Sequence, residues 1–138
     1  MKLFASLIII AALAFSVLGQ NYTEEARKAR NAPDLFVLSA GGYGPDRNNE
    51  AIYSMAVKNI GQKNITAVDW EYLPPGQSAP MKFRVSGLKV APGARTKVHK
   101  RVSYAGNELI NQFRLNNIRI MRVEFEDGSS WERPSDGR

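Results

Sequence analysis

The chain contains no cysteine. That excludes disulfides, thiol nucleophiles and the cysteine-ligated zinc sites, and no lipid-anchoring cysteine follows the apolar start of the chain. Histidine is nearly absent as well, with His99 as the single example. A zinc centre would need His99 plus carboxylates, and no spacing supports one. A catalytic His99 would be surrounded by the cations Lys97, Lys100 and Arg101, and no serine lies in a G-x-S-x-G elbow. Acidic residues are missing from two stretches: none precedes Glu24, and none lies between Tyr72 and Asn107. There is no long internal repeat and no low-complexity tract.

What is present divides unevenly. Met1-Lys2 gives a positive start, and Leu3 to Leu18 is an apolar run interrupted only by Ser6 and Ser16. The run is short of the roughly 20 residues that a spanning helix needs. A positive end, an apolar middle and a small-residue exit read as a secretory signal peptide over residues 1–19, cleaved between Gly19 and Gln20. Ala14-Phe15-Ser16 offers a second cleavage site. Export then implies a periplasmic or secreted location with no membrane span after cleavage, and the lack of disulfides fits a bacterial exported protein. Residues 20–33 are polar; Thr23 suits an N-cap and Glu24 and Glu25 suit the positive end of a helix dipole, so a short helix or linker is expected there.

From residue 34 to 138 the period changes to two, the mark of half-buried strands. Strands are expected over 35–40, 51–59, 65–73, 81–85, 95–102, 118–125 and 130–133. Tyr53, Met55 and Val57 share one face, as do Val68, Trp70 and Tyr72, while Asp69 and Glu71 point the other way. The apolar positions of 118–125 change parity between Ile120 and Val123, which predicts a β-bulge. Asp127-Gly128 predicts a two-residue hairpin turn. Gly41 to Asn49 is expected to be a loop with Tyr43 near its tip as a contact residue, and 104–117 a short helix or wide loop. Seven short strands separated by turn signals predict an all-β, single immunoglobulin-like β-sandwich, with a small open barrel as the alternative.

Two stretches also carry a family likeness. Val57-Lys58-Asn59-Ile60-Gly61 leading to Ile65-Thr66-Ala67-Val68-Asp69-Trp70, and Leu88-Lys89-Val90-Ala91-Pro92-Gly93, resemble exported bacterial immunoglobulin-like modules of the CARDB and FxLYD kind over residues 51–103. The resemblance implies a sandwich that serves as a scaffold, adhesive or binding unit. It brings no functional residues with it. The chain departs from it in being one module instead of an array, and in the appended hairpin Phe125 to Trp131.

Charge is the strongest signal for function. The formal net charge is +6. Lys82 and Arg84 are expected to face outward on one strand, and Arg95, Lys97, His99 and Arg101 on the next. If those strands pair, a single sheet face carries all six and engages a partner protein or an anionic surface, such as lipid headgroups, lipopolysaccharide or an acidic glycan. No aromatic side chains interleave with them, which argues against nucleic acid. Two weaker patterns compete. Asp69 and Glu71 share a face, as the carboxylates of a glycan hydrolase do. Asp46, Asn48 and Glu50 alternate as oxygen ligands, but lack the glycine and bidentate acid of a calcium loop. Asn21-Tyr22-Thr23 and Asn64-Ile65-Thr66 match the glycosylation pattern. The sequence therefore predicts an exported, non-catalytic binding module with no metal and no cofactor. A structural subunit that docks by edge-strand addition is the alternative.

Overall fold

The computed structural model describes residues 30–74, 76–103, 113 and 115–135. The expected signal peptide, residues 20–29 of the polar segment after it and most of 104–117 lie outside the described residues. Seven strands are formed: β1 (Leu35–Tyr43), β2 (Glu50–Asn59), β3 (Ile65–Tyr72), β4 (Met81–Val85), β5 (Arg95–Ser103), β6 (Ile118–Phe125) and β7 (Ser130–Glu132). Among the described residues a 3-10 turn, Leu115–Asn117, leads into β6. All pairings are antiparallel. One sheet has the order β1-β2-β5 and the other β4-β3-β6-β7.

This is a β-sandwich of immunoglobulin type, because the chain changes sheet between β2 and β3, between β4 and β5, and between β5 and β6. Burial alternates along β2 without a break, so Tyr53, Met55 and Val57 face the core while Ser54 and Ala56 do not. Along β3, Val68, Trp70 and Tyr72 are buried and Asp69 and Glu71 are not. Apolar side chains from both inner faces remove their surface from water, which supplies most of the driving force for folding. The aromatic residues join the two sheets. Tyr53 on β2 packs 5.1 Å from Phe83 on β4 and meets Phe113 edge-on at 5.1 Å. Phe113 also meets Tyr72 edge-on at 4.9 Å. Trp70 stacks on Phe83 at 5.3 Å. Such pairs contribute about 0.5–1.5 kcal/mol each beyond their burial.

Three bulges adjust the pleat. Leu38 has no opposite residue between Val37↔Val57 and Ser39↔Ala56. Thr66 has none between Ile65↔Phe125 and Ala67↔Glu124, nor Met121 between Asp69↔Arg122 and Trp70↔Ile120. The Met121 bulge is the parity change expected from the sequence: it lets Ile120 and Val123 both face inward.

Two local expectations are corrected. β1 does not stop before Gly41. It continues to Tyr43, because Gly41 and Gly42 stay paired with Ser54 and Tyr53 of β2. The β6–β7 hairpin is not closed by a two-residue turn. Its loop is Glu126-Asp127-Gly128, with the Phe125 N–H donating to Ser129 O and the Gly128 N–H to Phe125 O. Gly128 has φ of 84°, so one left-handed residue closes a three-residue loop, as in hairpins with a glycine bulge.

Candidate functional site

The six predicted basic residues do not form one face. β4 and β5 are adjacent in sequence but belong to different sheets, so Lys82 and Arg84 are separated from Arg95, Lys97, His99 and Arg101. The physical reason is the chain between the strands. The Ile65 and Val90 backbones exchange hydrogen bonds of 3.0 Å in both directions, carrying residues 86–94 across the end of the sandwich.

The outer face of the four-stranded sheet is instead a chequerboard of opposite charges. Register places Arg84 and Arg122 on either side of Asp69, and Lys82 and Arg119 on either side of Glu71. Arg84 donates to Asp69 at 2.8 Å and to Glu124 at 2.9 Å. Arg122 lies 3.3 Å from Glu124 and 3.1 Å from Glu132. The hydrogen bond from Arg84 holds the Glu124 carboxyl below its ordinary value, and the bond to Glu124 raises Arg84. A cleft of about 320 Å³ lies over this face, lined by Asp69, Glu71, Lys82, Arg84, Met121, Phe83 and Trp70. Asp69 and Glu71 do stand side by side in it, but each is flanked by cations on neighbouring strands.

Arg101 is also committed. It donates to Asp46 at 2.9 Å and approaches Glu50 at 3.4 Å. Asp46 accepts further bonds from the backbone N–H groups of Asn48 and Glu50, both at 2.9 Å. The Glu50 N–H is the main cause that lowers the Asp46 carboxyl from its ordinary value. Both Asp46 oxygens and one Glu50 oxygen are thus occupied by N–H donors and a guanidinium. Among the described residues no group of three or more His, Asp or Glu side chains could hold a metal ion.

What remains of the basic face is a row on one strand. Arg95, Lys97 and His99 point outward on β5, opposite Lys58, Ala56 and Ser54 of β2. None of these three makes an ion pair among the described residues, and all are exposed. Lys58 is a member that sequence reasoning missed. Its outward position was legible from the period of β2, but its place beside Arg95 depends on the β2–β5 pairing. Lys100 is exposed on the opposite side of the same strand. Tyr43 is 61% exposed, at the end of β1 farthest from Lys58 and opposite Ile52. The structure therefore brings Lys58, Arg95, Lys97 and His99 together, with Arg101 and Tyr43 toward the far end and Lys82 and Arg84 elsewhere.

A second recess, of about 510 Å³, opens between β1 and β7. It is lined by Asn31, Ala32, Pro33, Phe36, Ile60, Trp131 and Arg133. Arg133 lies 5.5 Å from the Trp131 ring and donates to Ile120 O and Asn31 O. The only sequence signal for it was Trp131, which the hairpin was expected to place at the core edge.

No protein-family model matches the chain, and no curated protein matches it. Among solved structures, the Salmonella enterica trimeric lipoprotein SadB aligns over 96% of this chain and 79% of its own, at 13% identity and a TM-score of 0.39. A likeness that loose carries no argument about partner or assembly. No helix among the described residues is long and apolar enough to cross a membrane.

Proposed function

We propose that the chain acts after export as a non-catalytic binding module whose contact strand is β5. The observation that carries this reading is the row Arg95, Lys97 and His99, unpaired among the described residues, on a domain whose other outer face is balanced charge by charge. Unpaired cations on a flat sheet create a positive potential that draws an anionic partner and weakens as salt screens it, with a screening length of about 10 Å at 0.1 M. The ligand class is an acidic protein surface, an anionic glycan or a lipid headgroup layer. The leader-like residues 1–19 support export, and the likeness of residues 51–103 to CARDB and FxLYD modules supports a binding or scaffold role.

The test is retention of purified residues 20–138 on heparin under a salt gradient. Elution well above physiological salt supports the reading, and Arg95→Glu with Lys97→Glu should then abolish retention. Elution at or below physiological salt, or equal retention of the double variant, overturns it. A second reading is an accessory subunit docked through main-chain pairing, in which case binding survives about 0.5 M salt.

A further inference from the structure

We propose that the open edge of β5 accepts an extended acidic segment of a partner protein, which adds to the β1-β2-β5 sheet as its fourth strand. The inference rests on the binding reading above and names the partner's chemistry. Three observations carry it.

The first is the edge itself. β5 pairs with β2 through nine consecutive register partners without a shift, and no strand or bridge lies on its other side among the described residues. A regular edge presents an evenly spaced row of N–H and C=O groups, the template that strand addition uses. The other edges serve less well: β1 is broken by the Leu38 bulge, β4 has five residues and β7 three.

The second is what lies beyond that edge. The facing sheet has one strand more, and its terminal strand β4 lies against β5. Met81 and Val85 of β4, and Val102 of β5, pack on the core yet remain only half-buried. A strand added to β5 would lay alternate side chains over this apolar margin.

The third is charge on both faces of the strand. Arg95, Lys97 and His99 line the outer side, with Arg101 following, and Lys100 is exposed on the inner side. Two copies of β5 would set cations against cations, so self-pairing is disfavoured. A segment that alternates acidic and apolar residues places its carboxylates opposite the cations and its apolar side chains over Met81 and Val85.

The probe is a synthetic peptide of alternating Glu and Val, as long as β5, added to residues 20–138 while amide exchange is followed by NMR. The expected result is new protection on alternate β5 amides. N-methylation of the peptide amides that face β5 should weaken binding at least about tenfold, because main-chain bonds are lost while charge is kept. Arg95→Glu with Lys97→Glu should bind a Lys–Val peptide in place of the Glu–Val one. If the N-methylated peptide binds equally well, or β5 gains no protection while heparin still retains the protein, strand addition is overturned and the binding reading stands. If neither probe binds, both fall.

Discussion

The side-chain amide of Asn59 donates to the carbonyl oxygen of Val90 at 2.8 Å, joining the end of β2 to the segment that carries the chain from β4 to β5. The same amide donates to Lys63 O at 2.7 Å, and its oxygen accepts from the Gly61 N–H at 2.9 Å. The Asn59 backbone donates to Ala94 O and accepts from the Gly93 N–H. Asn59 is fully buried and every polar atom of its side chain is used. The two stretches that carry the family likeness thus meet at one residue, where they fix how the chain enters and leaves the three-stranded sheet.

Asn59→Ala should therefore be among the most destabilising single changes. It leaves Lys63 O and the Gly61 N–H without their side-chain partner and Val90 O with only the Ile65 N–H, at a cost of about 2–4 kcal/mol. Urea unfolding measures it, and a loss below about 1 kcal/mol would mean that water replaces the amide.

Gly61 is required for space and not for its backbone angle. A Cβ there would lie 2.8 Å from Asp34 Cβ and also strike the carboxylate, while Ile60 N–H donates to Asp34 O at 2.9 Å and holds the two segments together. Gly61→Ala should cost about 1–3 kcal/mol. Asp34→Gly removes the obstructing atoms, so the double variant should recover part of that loss in a double-mutant cycle. Strictly additive costs would show that the segments separate freely.

The cations should differ in their effect on polyanion binding. Arg84 is engaged by Asp69 and Glu124, whereas Lys97 has no ion pair among the described residues. Lys97→Gln should lower the salt needed to elute the protein from heparin more than Arg84→Gln does. The reverse order would return the binding surface to the four-stranded sheet.

Acid stability should depend on the β6–β7 hairpin. Lys63 Nζ stands 2.8 Å from Asp127 Oδ2, and the Ser129 N–H and hydroxyl donate to Oδ1. The hydrogen bond from Lys63, followed by those from Ser129, holds the Asp127 carboxyl well below the usual aspartate range. The folded state therefore favours ionised Asp127. This contribution is complete above the unfolded value of about 3.9 and is lost as pH falls through the lower folded value. Asp46 and Glu124 are lowered in the same direction. Urea midpoints between about pH 5 and pH 2 should fall steadily, and Asp127→Asn should flatten part of that slope. An unchanged slope would show that the hairpin carboxylate is equally free in both states.

The strands were legible because their signal is local. Alternation of Tyr53, Met55 and Val57, or of Val68, Trp70 and Tyr72, is imposed by a side-chain period of two and needs no knowledge of partners. The Met121 bulge was legible for the same reason, since a parity change is visible within one strand. The Gly41–Tyr43 extension of β1 was not. Glycine signals a loop locally, and only the opposing Ser54 and Tyr53 keep it in the ladder.

Composition and period are properties of the chain alone, and they suffice for an all-β domain with a cation-rich stretch from Lys82 to Arg101. Which of those cations share a face was decided by the tertiary structure. Neighbouring strands usually pair, but the link from β4 to β5 crosses between the sheets, held by Asn59, Ile65 and Val90. The carboxylates that neutralise Arg84 and Arg101 also arrive from distant positions, Glu124 and Asp46. Long-range pairing sets the final distribution of charge, and it leaves β5 as the strand with cations to spare.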